Sequence, residues 1–422
     1  MNKVDFYEET HFEGSLIGKI PKDWEIADAD SISVLKGFAF SSNFFNGNSE
    51  GLPLIRIRDL RKEETESYYS GPYDETYLIR KGDILVSMDG QFNAYLWNGP
   101  EGLLNQRVCK VWSKNPAQLD NLFLYYAIHK PLKTIERQTS QTTVKHLLDR
   151  HIERMKFLLP PYSEQREVAQ ILAVVDLAVG KADEVIAKTE RLKKGLMQEL
   201  LTKGIGHKEF KDTKIGKAPK EWEVVRLEDV CITITDGSHW SPKEVEKSDY
   251  RIATVANLGE TDIDINSCKL VSKRDFMRLV RERDVPEKGD VLFSKDGTVG
   301  ISFAFRQHDF NVGLLSSIAI IRPNPQLLSS EFCAYALKSP KVFWQIIGRK
   351  TGTALRRIIL GHLKTVKIPL PSFAEQEKIA EILSSVDRKL EFERKEKTKL
   401  ERIKWGLMDL LLTGKVRVKV AD

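Results

Sequence analysis

The chain repeats itself, and the closest repeat lies in two segments with the periodicity of long helices. LPPYSEQREVAQILAVVD at residues 159–176 recurs as LPSFAEQEKIAEILSSVD at 370–387, and RLKKGLMQELLT at 191–202 recurs as RIKWGLMDLLLT at 402–413. The offset is 211 residues throughout, which is half of the 422-residue chain. Such an internal duplication requires a fold that uses one module twice.

The other parts of the two halves repeat more loosely. IGKIPKDWE at 17–25 recurs as IGKAPKEWE at 215–223, and GDILVSMDG at 82–90 recurs as GDVLFSKDG at 289–297. Between these segments the offset drifts from 198 to 207 to 211, so the second copy gains residues in places. We predict that the near-invariant segments contact identical partners, whereas the variable blocks contact different ones.

The Pro-Pro-Tyr at the start of the first repeat raises the question of a DNA amino-methyltransferase. Such an enzyme needs an acidic or amide residue before this motif to accept a hydrogen bond from the base amine, and Leu159 cannot do so. The second copy reads Leu-Pro-Ser-Phe instead, and no glycine-rich loop for S-adenosylmethionine precedes the motif. The stretch therefore predicts the start of a helix, with Ser163 as its N-cap.

Apolar residues recur at helical spacing over roughly 40 residues in each copy, which predicts two helices of about 60 Å. Because neither helix can bury its apolar stripe alone, we predict that they pack as an antiparallel coiled coil. Glycine inside a helix costs about 1 kcal/mol relative to alanine, so the glycine of each copy is predicted to mark a close approach of two backbones, with a tolerated glycine that has no packing role as the alternative. The residues predicted to form the helix seam or a partner interface are Gln165, Ile171, Leu172, Gly195, Gln376, Ile382, Leu383 and Gly406.

The blocks between the helices have a mixed composition. Short strand-like runs such as PLIRI, DILVSM, RIATV and DVLFS are bounded by Gly, Asn and Asp turns, and helical stretches such as NLFLYYAIH follow. The predicted fold class is α+β, with two pseudo-symmetric mixed α/β domains separated by the long antiparallel two-helix coiled coil. The predicted boundaries are 1–162 and 206–373 for the domains, and 163–205 and 374–422 for the spacer helices.

The sequence carries no familiar catalytic motif. There is no phosphate-binding loop, no H-E-x-x-H and no G-x-S-x-G. The aspartates of the repeated GDIL/GDVL element are interpreted as turn residues, and the four scattered cysteines form no Cys-x-x-Cys pair. No apolar run approaches the ~20 residues of a membrane helix. We predict a cytoplasmic, non-catalytic chain without its own metal or cofactor.

Polar and aromatic side chains concentrate on predicted loops at matched places in both halves. Arg, Lys, Asn and Gln can read base edges, while Lys, Arg, Ser and Thr can hold phosphates, and the net charge of +6 is compatible with a polyanion. A solvated surface is the alternative interpretation of each loop. The candidate DNA contacts are Lys36, Phe38, Arg56, Arg58, Gln91, Asn105, Arg107, Thr142, Lys145, Trp240, Lys295, Arg349, Lys350, Thr353, Arg356 and Arg357.

These repeats resemble the specificity subunits of type I restriction-modification enzymes. The resemblance rests on the paired LPPYSEQREVAQIL and LPSFAEQEKIAEIL helices, their RLKKGLMQELLT and RIKWGLMDLLLT ends, and the IGKIPKDWE and GDIL elements. It implies that each block is a target-recognition domain reading one half of a bipartite, asymmetric target in double-stranded DNA. It also implies docking of DNA methyltransferase subunits, two in number, and of restriction subunits. S-adenosylmethionine, ATP and Mg²⁺ would then belong to the partner subunits.

Two alternatives to this interpretation stay open at the level of sequence. An autonomous DNA methyltransferase or nuclease would need a cofactor loop and an intact catalytic tetrapeptide, neither of which is present. A protein-binding scaffold made of duplicated domains on a coiled coil would show no DNA binding even with a methyltransferase partner.

Overall fold

The structure is a computed structural model that describes residues 5–15, 17–27, 29–139, 145–148, 151–152, 155–306, 311–348 and 357–419. The chain forms two compact units. Unit 1 comprises residues 1–182 and 396–422, and unit 2 comprises residues 183–395. The predicted four-segment division of the chain stays a prediction, because each unit combines a globular block with segments of both long helices.

The strands of the described residues are short. In chain order they are β1 Phe6–Glu8, β2 Phe12–Ser15, β3 Gly18–Pro21, β4 Glu25–Ala27, β5 Ile32–Lys36, β6 Phe45–Asn46, β7 Leu52–Ile55, β8 Tyr68–Tyr69, β9 Leu78–Ile79, β10 Ile84–Ser87, β11 Ala94–Leu96, β12 Gly102–Leu104, β13 Val108–Ser113, β14 Phe157–Leu159, β15 Phe210–Thr213, β16 Gly216–Pro219, β17 Glu223–Arg226, β18 Cys231–Asp236, β19 Tyr250–Ala253, β20 Lys269–Val271, β21 Val291–Ser294, β22 Ser302–Ala304, β23 Asn311–Leu314, β24 Ile318–Pro323, β25 Lys367–Leu370 and β26 Val416–Val418.

The helices are more unequal in length. They are α1 Asn121–Ala127, α2 His129–Gln138, α3 Tyr162–Lys203, α4 Lys273–Glu282, α5 Ser330–Lys338, α6 Pro340–Ile347, α7 Leu360–Lys364 and α8 Phe373–Leu411. Among these helices none is both long and apolar enough to cross a membrane.

The two globular blocks share one sheet topology. An antiparallel sheet has the order β11-β10-β13-β5 in unit 1 and the order β22-β21-β24-β18 in unit 2. A second sheet contains a parallel pair, β7 with β12 in unit 1 and β19 with β23 in unit 2. The central strands β10 and β21 are buried along their whole length, which explains their continuous apolar sequence.

The units differ in what is added to this scaffold. Unit 1 extends its second sheet with β6 and β9. Unit 2 inserts α4, which begins with Ser272 as N-cap, ends at Arg283 in a left-handed conformation, and buries Phe276 and Leu279. The inserted helix accounts for part of the change in residue offset between the two copies. Its apolar face packs against β19 and its neighbours.

The long helices begin close to their predicted starts. Ser372 precedes α8, and its hydroxyl accepts a hydrogen bond from the Glu375 amide at 3.4 Å. In the first copy the helix begins at Tyr162, so Ser163 lies in the first turn and the prediction that it is the N-cap is wrong. There the carbonyl of Pro161 accepts the hydrogen bond from the amide of Gln165 at 3.0 Å.

Within each unit the two long helices run antiparallel. In unit 2, Glu190 pairs with Arg394 at 2.8 Å and Lys193 pairs with Asp387 at 2.5 Å. Residue numbers therefore rise along α3 where they fall along α8. In unit 1, Asp176 of α3 pairs with Lys404 of α8 at 2.6 Å. These helices and the mixed sheets confirm the α+β fold class and the antiparallel helix pair.

The helix seam joins the core of each domain. In unit 1, Val168 and Leu172 of α3 lie in one cluster with Met408 and Leu411 of α8. In unit 2, the corresponding cluster holds Leu200 and Leu201 of α3 with Ile379 and Leu383 of α8. Ile171 is half-buried at the edge of the first cluster. The apolar stripe therefore packs each helix against its neighbour and against its own domain.

For Gly195, Gly406 and Ile382 the structure excludes a place in the buried helix seam, and the alternative of a partner interface stays a prediction. A Cβ added to Gly195 or Gly406 would meet nothing within 4 Å, so neither glycine marks a close approach of backbones in this chain. Both glycines lie on the exposed face of their helix. Ile382 is 37% exposed, which is too much for a residue of the buried seam. Helical periodicity alone placed these residues a fraction of a turn too close to the buried stripe.

Candidate nucleic-acid interface

The ends of two parallel strands bring several predicted contacts to one edge of unit 1. Leu104 of β12 pairs with Ile55 of β7, so Asn105 and Arg56 follow the strands at the same edge. The amide of Asn105 donates to the carbonyl of Ile55 at 3.3 Å. Phe38 forms an isolated bridge with Asn105 and joins them. Residues far apart in sequence therefore meet because parallel strands end together.

The turn after β10 adds more cations to this edge. The amide of Met88 donates to the carbonyl of Arg107 at 3.0 Å, and that of Gly90 donates to the carbonyl of Lys145 at 3.0 Å. The Gly90 φ of 73° is a left-handed conformation that suits glycine. Gln91 follows in the same turn and is exposed. We call this surface of unit 1, made by Lys36, Phe38, Arg56, Gln91, Arg107 and Lys145, the first edge.

Aromatic and cationic groups are exposed together on the first edge. The Phe38 ring is 48% exposed and lies 5.2 Å from the Tyr77 ring. The Arg56 guanidinium lies over the Phe45 ring at 5.1 Å, and Arg58 donates to the Ser67 hydroxyl at 3.1 Å. Asn105 is only 9% exposed, because its backbone joins the two parallel strands, and the prediction that it is a surface contact is therefore corrected. An edge of this composition can hold phosphates and contact base edges.

Unit 2 forms the same edge through the same backbone hydrogen bonds. The amide of Leu315 donates to the carbonyl of Ala253 at 2.9 Å, and that of Ser238 donates to the carbonyl of Leu314 at 2.8 Å. We call this surface of unit 2, made by Ser238, Trp240, Thr254, Ser317 and Arg357, the second edge. Its backbone matches the first edge, but its side chains do not: Ser238, Thr254 and Ser317 stand where Phe38, Arg56 and Arg107 stand in unit 1.

Of the predicted contacts in unit 2, the structure leaves Trp240 half-buried and Arg357 exposed, whereas Lys295 is buried. Trp240 stacks under the Arg278 guanidinium at 4.4 Å, and the Arg357 side chain is 62% exposed. Lys295 is 3% exposed, with Asp236 at 3.2 Å and Asp296 at 3.3 Å from its ammonium. The prediction of Lys295 as a surface contact is therefore corrected, because two carboxylates hold its charge inside. The predicted contacts Thr142, Arg349, Lys350, Thr353 and Arg356 lie outside the described residues.

The first aspartate of each GDIL/GDVL element stabilises a turn. Asp83 accepts a hydrogen bond from the amide of Arg80 at 2.8 Å, and Asp290 accepts one from the amide of Glu287 at 2.7 Å. Asp290 also binds Arg322 through two hydrogen bonds, which raise the pKa of that guanidinium against the opposing effect of burial. Over the described ranges no group of three His, Cys, Asp or Glu side chains is placed to hold a metal.

A buried glutamine fastens each domain to its helix. Gln165 accepts a hydrogen bond from the Asp120 amide and donates to the carbonyls of Gln118 and Pro160, all at 2.9 Å. Gln376 repeats these three bonds in unit 2 with the Ser329 amide and the carbonyls of Leu327 and Pro371. Both glutamines are at most 1% exposed. They lie at the junction of domain and helix and are inaccessible to a partner, which corrects their assignment to a seam or partner interface.

The neighbouring glutamates form a second repeated contact. Glu164 accepts a hydrogen bond from the Trp24 indole at 3.2 Å and pairs with Arg417 at 2.8 Å. In unit 2, Glu375 accepts from the Trp222 indole at 3.0 Å, with His207 at 2.9 Å in the place of the arginine. The tryptophans belong to the repeated IGK-x-P-K-x-W element. This element therefore packs each domain onto the start of its helix.

The third repeated contact links both long helices to a domain. Asp176 accepts a hydrogen bond from the Tyr126 hydroxyl at 2.9 Å and pairs with Lys404 at 2.6 Å. In unit 2, Asp387 accepts from the Tyr335 hydroxyl at 2.7 Å and pairs with Lys193. Burial, and then the nearby aspartate, raises the pKa of both tyrosines, which stay protonated donors.

These junction residues were missed by the sequence predictions. Glu164, Asp176 and Lys193 have counterparts at the same 211-residue offset in Glu375, Asp387 and Lys404. A charged residue retained in both copies beside an apolar stripe is a signal for a buried partner, and the duplication could have revealed it.

Comparison with known proteins agrees with the geometry. A family model described as the type I restriction modification DNA specificity domain matches residues 21–185 and 219–402. The EcoBI specificity subunit of Escherichia coli is 31% identical over 376 residues, covering 85% of this chain and 78% of the relative. The MjaVIII specificity subunit of Methanocaldococcus jannaschii is 28% identical over 450 residues, covering 99% and 98%. The S subunit crystal structure from M. genitalium shares the fold at a TM-score of 0.60 and 15% identity, covering 96% of this chain and 99% of that one.

Proposed function

The chain belongs to the type I restriction-modification DNA specificity family, and on that premise we propose that its two edges read the two halves of one bipartite DNA target. The chain is a specificity subunit, a DNA-recognition subunit without catalysis of its own. Each unit would contact one half-site, with the long helices setting the gap between them, since half-site spacing follows protein geometry.

One observation carries this proposal. The two units keep the same strand order and the same junction contacts, while three aligned positions of the edges change chemistry completely. Phe38, Arg56 and Arg107 give way to Ser238, Thr254 and Ser317, three hydroxyl residues. A retained scaffold with altered edges supports two readers of different sequence, and hence an asymmetric target.

The catalytic chemistry would belong to partner subunits. Two DNA methyltransferase subunits would supply S-adenosylmethionine chemistry and base flipping, and restriction subunits would supply ATP and Mg²⁺ chemistry. The exposed faces of α3 and α8, which carry the repeated Gly195 and Gly406, are the surfaces we assign to methyltransferase docking. We place the assembly in the cytoplasm, with the DNA it would modify.

Coexpression with the methyltransferase partner tests the proposal. Modified adenines mapped across the host genome are expected to define one motif of two unlike half-sites with a constant gap. Binding should weaken steeply with salt, because phosphate contacts release counterions. Methylation by the purified chain alone would favour an autonomous enzyme, and absence of DNA binding by the assembled complex would favour a protein scaffold.

A further inference from the structure

One aspartate occupies the same place in both edges, directly after the central strand. Asp89 follows β10 and Asp296 follows β21, within the repeated GDILVSMDG and GDVLFSKDG segments. Asp89 forms an isolated backbone bridge with His146, and Asp296 forms the equivalent bridge with Arg357. The two carboxylates therefore lie at equivalent points of the scaffold, although the residues around them differ.

Each aspartate pairs with one exposed arginine through the same atom. The Nε of Arg107 lies 3.4 Å from an Asp89 carboxylate oxygen, and the Nε of Arg357 lies 3.4 Å from one of Asp296. The arginine side chains are 54% and 62% exposed. In the described parts of the chain neither guanidinium forms a hydrogen bond, and the contact of each with its aspartate is an ion pair alone. The terminal nitrogens can therefore turn towards a ligand.

A second side chain contacts each carboxylate from the side away from the arginine. In unit 1 His146 takes the other oxygen of Asp89. In unit 2 the buried Lys295 takes the other oxygen of Asp296 and is itself shared with Asp236. Each carboxylate is thus fixed from behind and keeps one arginine in front of it through an ion pair, which lowers the entropy lost when that arginine binds.

The arginines come from different positions of the repeat. The carbonyl of Arg107 accepts from the Met88 amide, and in unit 2 the carbonyl of Ser317 accepts the equivalent bond from Lys295. Arg357 is instead the counterpart of His146. The aspartate retained in both copies therefore pairs with an arginine that comes from a different position of the repeat in each unit.

We infer that Arg107 and Arg357 each read one guanine, one in each half-site, with Asp89 and Asp296 as their positioning residues. This inference rests on the proposed function. A planar guanidinium with both terminal nitrogens available matches O6 and N7 of guanine in the major groove. Because the two arginines leave the scaffold at different points, the guanine should occupy a different position within each half-site.

Selection from a randomised duplex library by the complex of this chain with its methyltransferase partner tests the inference. Arg107→Gln should reduce the preference for guanine at one position of one half-site by roughly 5- to 150-fold, because glutamine pairs with adenine instead. Arg357→Gln should do the same at one position of the other half-site. Asp89→Asn should reduce the preference for guanine at the same position as Arg107→Gln does. The double variant should lose little more of this preference than Arg107→Gln alone.

Matched controls remove one positive charge elsewhere in each unit. Arg80 is exposed and pairs with Glu101 at the opposite end of β10, and Arg226 is an exposed arginine of unit 2 paired with Glu228. Arg80→Gln and Arg226→Gln should leave every letter of the motif unchanged.

The outcomes separate the inference from the function on which it rests. If the variants bind all sequences more weakly but select the same bases, the arginines contact phosphates, and the inference is overturned. An unchanged motif in Arg107→Gln and Arg357→Gln would overturn it as well, while a bipartite wild-type motif would leave the proposed function standing. A wild-type complex that selects no bipartite motif would overturn both.

Discussion

Replacing Gln165 by leucine should destabilise unit 1 strongly, although the two side chains are similar in size. The substitution removes one hydrogen bond from the Asp120 amide and two to the carbonyls of Gln118 and Pro160. Each neutral bond contributes about 0.5–1.5 kcal/mol net. The three bonds together, and the stranding of buried backbone groups, give an expected loss of about 3 kcal/mol in the free energy of unfolding.

The assay is urea unfolding followed by circular dichroism, compared with Gln170→Leu as a control. Gln170 is exposed on the same helix, and its replacement should change stability by less than about 0.5 kcal/mol. Gln376→Leu should repeat the large loss in unit 2, because it breaks the same three bonds. A loss below about 1 kcal/mol in Gln165→Leu would show that the junction is held by apolar packing alone.

Three further predictions concern the helices and their surroundings. Burial, and then the nearby Lys404, lowers the pKa of His129 from 6.5 to about 4. Because the imidazole of the unfolded chain is protonated at a higher pH than that of the folded chain, the contribution of His129 to the free energy of unfolding should be full above pH 6.5 and fall towards pH 4. His129→Gln should flatten this slope in unfolding measured as a function of pH. Gly195→Ala and Gly406→Ala should each stabilise the chain by about 0.5–1 kcal/mol in thermal unfolding, because their helix faces are open; a loss of stability would restore the close-approach interpretation. Asp176→Asn should cost about 1–3 kcal/mol by chemical denaturation, since it weakens the bonds from Tyr126 and Lys404, and an unchanged midpoint would contradict this role.

The sequence predicted the long helices well because their signal is local and repeated. A stripe at helical spacing over roughly 40 residues leaves few alternatives, and the duplication supplied the partner helix. The same periodicity failed for Ile382, because a stripe defines a face only to within a fraction of a turn. Gly195 was misread for a related reason, since the cost of a helical glycine does not reveal which way it faces.

The two edges were harder to predict because they are assembled by distant pairing. The parallel pairing of β7 with β12 brings Arg56 beside Asn105, and no local pattern encodes it. Lysine in a loop ordinarily predicts a solvated cation, whereas Lys295 is buried by Asp236 from a different strand. Arg107 is exposed at the first edge, and only the fold shows this.

Lengthening both long helices tests whether these helices set the gap between the two proposed half-sites. Seven residues inserted after Ala182 in α3 and after Lys395 in α8, where the two compact units divide, add about 10 Å of helix and keep the seam in register. Mapping of modified adenines should then show the same half-site letters with a gap about three base pairs longer, at roughly 3.4 Å per step. Altered half-site bases, or an unchanged gap in an active complex, would show that the helices do not set the spacing.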